Sequence, residues 1–299
     1  MPRSLILTLR GGLGNQLFQY ASARGIAARH GLHLALDVFT GFENDSYRRR
    51  YELSDFNVQA EVVGRDEAFC VRRRHALQRR VWWRVEHLSV LLRHTYKMDG
   101  LMAIRRSMCP GSDLYVNCYL QSYRYFEDIW PLLRSELTLS RDLKPGKRNV
   151  ASLITGSNSV AVHIRSAHGL CSDGTVVSPR LADSRLPVDY YRTALADLAS
   201  RVGTCQRVVF CDTPKCPSGF MEALGSGAVV IPGEDANACD DLVLMSLCRH
   251  HIIANSTYGW WGAWLGTHPE GFTYAPRHWF LARKPVEFKD FYPRQWIIL

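Results

Sequence analysis

No stretch of this chain approaches the ~20 consecutive apolar residues of a membrane-spanning helix. The apolar run near the start, Leu5-Ile6-Leu7 with Leu9, is too short for a secretory signal. The nine cysteines form no Cys-x-x-Cys pair and no His/Cys spacing typical of zinc. An odd number of scattered cysteines fits a reducing compartment, where most serve as small buried hydrophobes. No two aspartates are separated by one residue. The Asp-x-Asp device that presses a divalent ion against a diphosphate is therefore missing. There is no internal repeat and no low-complexity tract. Together these absences predict a cytoplasmic protein without disulfides or a structural metal.

The chain is long enough for two domains, and 46% hydrophobic residues can bury two cores. Its formal net charge is +9. The excess is concentrated between Arg65 and Arg106, through Arg72-Arg73-Arg74, Arg79-Arg80, Arg84 and Arg93. Leu77, Val81, Val85, Leu88 and Leu92 recur there at helical spacing, predicting an amphipathic helix with a basic face. Such a face is either an ordinary solvated surface or a patch for anionic lipid headgroups or an anionic lipid-linked acceptor. No nucleic-acid-binding motif accompanies it.

Apolar runs predict strands at 5–9, 32–37, 115–121, 159–164, 207–211, 228–231, 251–254 and 272–275. Helical patterns fall at 15–30, 126–137, 188–201, 214–224 and 236–248. Asn15 is placed to cap the first helix and Gly31 to end it. A β-loop-α-β start implies a parallel, Rossmann-like sheet, and the second half alternates in the same way. Lys144-Pro145-Gly146-Lys147 and Thr155-Gly156-Ser157-Asn158 predict a linker over 143–157.

Two segments stand out. Gly11-Gly12-Leu13-Gly14-Asn15-Gln16 follows the first strand. Asn255-Ser256-Thr257-Tyr258-Gly259-Trp260-Trp261-Gly262-Ala263-Trp264 follows a late strand and predicts a helix starting near Thr257. A helix start behind a strand suits a phosphate; equally, three tryptophans in five residues read as buried core. With Val160-Ala161-Val162-His163-Ile164-Arg165, Tyr119-Leu120-Gln121-Ser122 and the run from Asp241 to Cys248, these segments resemble the bacterial α-1,2-fucosyltransferases, from about residue 5 to residue 275.

The resemblance implies an inverting transfer of L-fucose from GDP-L-fucose to a glycan hydroxyl, the 2-OH of a terminal galactose. It implies the GT-B architecture, an α/β fold of two Rossmann-like domains with parallel sheets facing a cleft. Residues 1–150 would form the acceptor side; residues 151–299 would bind the GDP-sugar and end in a C-terminal tail. The partners are a GDP-sugar donor and a glycan or lipid-linked oligosaccharide acceptor, with no nucleic acid. No cofactor and no metal are expected. The setting is bacterial cytoplasm, with peripheral attachment to the inner membrane face if the basic helix binds lipid.

Donor binding falls to His163, Arg165, Asp212, Asn255, Ser256 and Thr257, all at predicted strand ends. Arg165 is expected to neutralise charge on the leaving diphosphate. Asp212 could recognise guanine through two acceptors, or cap the next helix. Gly12, Gly14, Asn15 and Gln16 would face the sugar or acceptor, with His163, Arg165 and Asn15 as catalytic candidates. For a general base, His168, Asp173 and Asp37 are candidates by location only. A dissociative route, with the departing phosphate taking the proton, needs no base.

The family pattern His-x-Arg-Arg-x-Asp reads His163-Ile164-Arg165-Ser166-Ala167-His168 in this chain, and Phe-Ser-Asp-Asp reads Phe210-Cys211-Asp212-Thr213. These departures bear on the sugar and the linkage; Arg180 or Arg185 could replace the lost arginine. Two other classes stay open. Gly12, Gly14 and Asp37 partly match a nicotinamide-dinucleotide fingerprint, with Leu17 at the third glycine position. The altered motif also admits a GDP-sugar- or glycan-binding protein without catalysis.

Overall fold

The structure is a computed structural model and describes residues 4–70, 113–166, 185–213, 215–225, 227–233, 238–266, 268–279 and 290–299. The basic segment at 72–93, His168, Asp173 and Arg180 lie outside the described residues. The chain divides into two α/β units. Unit 1 is Met1–Thr138 with Glu287–Pro293; unit 2 is Leu139–Val286 with Arg294–Leu299.

Unit 1 carries a parallel sheet of β1 (Ser4–Thr8), β2 (His33–Asp37), β3 (Glu61–Val62) and β4 (Leu114–Val116), in the order β3-β2-β1-β4. Helix α1 (Leu13–His30) joins β1 to β2 and stops at Gly31, whose φ of 58° glycine adopts without strain. The helix begins before the expected cap Asn15. Gly12 is the N-cap, and its carbonyl accepts from the N–H groups of Asn15 and Gln16. Leu13 and Gly14 are thus already helical, and only Gly11 and Gly12 form the loop ahead of the helix. β4 is three residues long where seven were expected, and Leu120 beyond it sits at φ 47°. Helix α2 (Trp130–Glu136) closes the unit. Phe291 returns from the far end of the chain to stack on Phe18 of α1, ring centroids 5.7 Å apart, so this part of the expected C-terminal tail packs in unit 1.

The division at residue 138 precedes the linker expected at 143–157, and that segment forms helix α3 (Pro145–Thr155). Pro145 occupies a first-turn position, where its missing N–H costs nothing and its ring presets φ. Ile154 then docks α3 onto Leu244 and Met245. Pro-Gly therefore opens a helix here instead of marking a break.

Unit 2 holds β5 (Ser159–Ile164), β6 (Gln206–Cys211), β7 (Val229–Ile231), β8 (His250–Ile252), β9 (Thr273–Ala275) and β10 (Ile297–Ile298). All are parallel, in the order β10-β9-β8-β5-β6-β7. Helices α4 (Val188–Val202), α5 (Ser218–Leu224), α6 (Ala238–Leu247) and α7 (Thr257–Trp264) connect them. β5 is buried along its whole length, as a central parallel strand must be. The chain starts at β5, lays β6 and β7 to one side, then crosses to β8 on the other. Strand order therefore reverses between β5 and β8, and ligands in such sheets bind beyond the strand ends at that point.

His251 of β8 is 3% exposed and donates from Nε2 to the Met245 carbonyl at 2.9 Å. Burial pushes its pKa down to about 4. The unfolded chain takes up that proton near pH 6.5, the folded chain only near 4. This contribution to stability is full above pH 6.5 and is lost as pH falls from 6.5 towards 4, by about 2 kcal/mol at pH 5. Melting temperatures at pH 7 and pH 5 should show the fall, and His251→Gln should shrink it. An unchanged difference in the variant would remove this histidine as its cause.

Candidate functional site

Arg165 and Ser166 leave β5, and Asp212 and Thr213 leave β6, as adjacent parallel strands. The Arg165 side chain is 29% exposed, and its Nε lies 3.2 Å from Oδ2 of Asp212. Oδ1 of Asp212 accepts from the backbone N–H and the hydroxyl of Ser166, both at 2.8 Å. Both oxygens of Asp212 thus bind protein groups. The carboxylate holds Arg165 from behind, through Nε. Among the described residues no carboxylate or carbonyl takes the Nη1 and Nη2 groups, so a planar, permanently charged fork is left at the strand end.

On the other side of β5, β8 runs into Asn255, Ser256 and α7. Ser256 is the N-cap, and its Oγ accepts from the N–H of Tyr258 at 3.3 Å. Asn255 is buried and donates from Nδ2 to the Trp279 carbonyl at 2.8 Å, fixing the entry to the helix. Thr257 is half-buried in the first turn. Trp260 and Trp261 are fully buried, and Trp260 packs against Trp264 and, at 5.4 Å, Trp296. The tryptophans are core: they seat the helix so that its amino end stays at the strand ends.

His163 is 2% exposed and lies beneath that first turn, its ring 5.7 Å from Tyr258. A Cβ on Gly259 would stand 2.4 Å from His163 Nδ1. Only glycine lets α7 rest on the imidazole. The Tyr258 hydroxyl donates to the Ala238 carbonyl at 2.7 Å and ties α7 to the start of α6. His163 therefore braces the helix end from below.

In unit 1, Oδ1 of Asn15 accepts from Nε2 of Gln121 at 2.7 Å. Gln16 is fully buried. Its Nε2 donates to the carbonyls of Gly11 and Arg50, each at 2.8 Å, and its Oε1 accepts from the N–H of Glu52 at 2.9 Å. Gln16 clamps the 50–52 loop against the glycine loop. Gly14 is buried within α1, whereas Gly12 is half-buried. Asp37 is likewise engaged by its neighbours. Its Oδ1 accepts from the N–H groups of Phe39 and Thr40, and its Oδ2 from the hydroxyls of Thr8, Thr40 and Tyr115. The carboxylate thus caps the carboxyl end of β2. Among the described residues, no group of three or more His, Cys, Asp or Glu side chains is arranged to hold a metal ion.

The family model described as Glycosyl transferase family 11 matches residues 4–299. The chain belongs to that family. The O-antigen biosynthesis glycosyltransferase WbnK of Escherichia coli is 29% identical over 301 residues, covering 91% of this chain and 93% of that protein. An alpha-1,2-colitosyltransferase of Escherichia coli is 27% identical over 305 residues, covering 98% of each. Among solved structures, NodZ alpha-1,6-fucosyltransferase soaked with GDP-fucose aligns at TM-score 0.50 and 16% identity, covering 92% of this chain and 95% of that one. The match bears out the resemblance drawn from the motifs, and the two parallel α/β units are the GT-B fold of these transferases.

Against the family 11 pattern the structure adds a point the sequence conceals. Ser166 and Thr213, the residues that replace an arginine and an aspartate of the pattern, are neighbours: their hydroxyl oxygens are 3.3 Å apart. A neutral pair stands where the motifs implied by the resemblance would set opposite charges. Losing either charge alone would strand the other in a half-buried site, whereas losing both does not. The only cue in the sequence was that both motifs depart, at positions 47 residues apart. Gln121, the partner of Asn15, lies in the Tyr119-Leu120-Gln121-Ser122 segment, 106 residues away in the chain.

Proposed function

We propose that this family 11 chain transfers L-fucose from GDP-L-fucose to a glycan hydroxyl, the 2-OH of a terminal galactose, with inversion at the sugar carbon. The observation that carries this reading is the Arg165 fork, anchored through Nε and open at Nη1 and Nη2, beside a helix amino end on the neighbouring strand. Two devices suited to one diphosphate thus meet at one switch point. Arg165 takes the charge that builds on the leaving diphosphate, and the α7 end with Ser256 and Thr257 holds its other oxygens. His163 and Asp212 are positioning residues: one braces the helix, the other aims the guanidinium. Asn15 faces the sugar or acceptor from the glycine loop. The acceptor proton goes to His168 or Asp173, or to the departing phosphate.

The α-1,2 linkage is supported by the name of the colitosyl relative. That relative and the neutral Ser166–Thr213 pair also favour one second reading, a related GDP-sugar such as a colitosyl donor. The nicotinamide reading finds no support: Leu17 is fully buried where the fingerprint needs glycine, and the family match spans both units. A lipid-linked acceptor, with peripheral attachment through the segment at 72–93, belongs to this proposal too. Among the described residues no helix is long and apolar enough to cross a membrane.

The test is a screen of GDP-sugars, with GDP-fucose and a colitosyl donor among them, on galactosides in excess EDTA, with product linkage and anomer read by NMR. An α-1,2-fucoside formed at undiminished rate in EDTA is the expected result. Activity lost in EDTA and restored by manganese would overturn the metal-independent reading. Donor binding without any transfer or hydrolysis would make the chain a binding protein.

A further inference from the structure

Unit 1 has a switch point of its own. Its order β3-β2-β1-β4 reverses between β1 and β4, so a crevice opens at the carboxyl ends of those two strands. Two arginines stand there. Arg10 leaves β1 with its guanidinium over the ring of Tyr119, on the segment leaving β4, 6.0 Å from the centroid. Arg49 lies over the ring of Tyr47 at 4.2 Å. Its Nε comes within 3.7 Å of where a Cβ on Gly12 would be, so the second guanidinium sits on the glycine loop itself.

Both side chains are half-buried, and Nε of Arg10 is buried without a hydrogen bond. Among the described residues neither guanidinium has a carboxylate partner. A partly desolvated cation without a carboxylate partner is costly, and an anion brought to the glycine loop relieves it. Stacking on aromatic rings fixes each planar fork in advance, which suits bidentate recognition of phosphate or carboxylate. The donor diphosphate already has Arg165 and α7 in unit 2, which leaves these forks for another anionic group.

We propose that this crevice is the acceptor site and that it reads a negative charge, a phosphate or a carboxylate, carried by the acceptor saccharide. The proposal rests on the GDP-sugar reading above. Arg10 and Arg49 hold the anion, and the adjacent Asn15–Gln121 pair meets the sugar.

The test titrates the full chain, saturated with GDP, with lactose, lactose 1-phosphate and lactobionate by calorimetry at low salt. At least one anionic probe should bind tenfold or more tighter than lactose. Preference for the phosphate alone marks a glycosyl phosphate acceptor, for the carboxylate alone an acidic sugar, and for both a general anion site. Arg10→Gln and Arg49→Gln should each remove most of the preference and leave lactose and GDP affinities within twofold. Arg49→Lys should keep part of it, since charge stays and the fork goes. Equal binding of all three probes, or a preference that survives in the folded variants, would overturn the proposal. A tenfold loss of GDP affinity in either variant would give the forks to the donor instead. Failure of the wild-type chain to bind GDP would bring down the donor reading and this proposal together. GDP binding with no anion preference brings down this proposal alone.

Discussion

Arg165→Ala is expected to lower kcat/KM by about two to three decades. In the proposed role the side chain stands where charge builds as the bond from the sugar carbon to the diphosphate breaks, and stabilisation of developing charge in a site screened from water is worth several kcal/mol. The geometry sharpens the expectation. Asp212 engages Nε only, so the remaining N–H groups point away from their anchor in one rigid plane. Arg165→Lys should recover only a fraction, because an ammonium cannot reach Asp212 and two phosphate oxygens at once. Asp212→Asn should cost less than Arg165→Ala, since the arginine keeps its charge and loses its aim. The double variant should be little worse than Arg165→Ala alone, as expected of residues acting through one another. Initial rates at saturating and limiting donor, on variants with unchanged melting temperature, check each step. Near-normal turnover in Arg165→Ala would reduce the residue to a strand-end ion pair and remove the main support of the proposed function.

Most of the scaffold could be read from the chain because its strands are buried on both faces. β5 and β6 emerged within a residue of their expected limits, since a central parallel strand is a continuous apolar run bounded by polar residues. Short edge pieces escaped. β3 is two exposed residues and β10 two half-buried ones, too little for any periodicity. The start of α1 was misjudged because asparagine is a good cap, yet the Gly12 carbonyl opens the helix without any side chain. Pro145 misled for a related reason: the same residue breaks a helix interior and begins a helix well. The site was legible as a set of strand ends but not as a set of contacts. That Asp212 faces Arg165 and Ser166, and that Ser166 meets Thr213, depends on the β5–β6 register, which brings together residues 46 and 47 positions apart. Gln16 shows a different limit. A polar residue in a glycine-rich strand-end loop invites a substrate role, whereas here it serves the backbone around it.

That difference has a measurable consequence. Gln16→Ala should act first on stability, by about 2–4 kcal/mol, because it leaves the carbonyls of Gly11 and Arg50 and the N–H of Glu52 without their partner around a fully buried side chain. The melting temperature should fall by roughly 5–10 °C, and the 50–52 loop should become the part of unit 1 most open to proteolysis. GDP affinity, which the proposed function assigns to residues of unit 2, should be unchanged at temperatures where the variant is folded. Asn15→Ala is the control. Its side chain is half-buried and loses a 2.7 Å contact with Gln121, so the melting temperature should move by only a degree or two. Any large drop in its kcat is then chemical rather than structural. Thermal denaturation beside GDP titration and transfer rates separates the two. If Gln16→Ala melts like the wild type and loses only turnover, its amide does reach the reacting groups, and the clamp seen between the two loops is secondary.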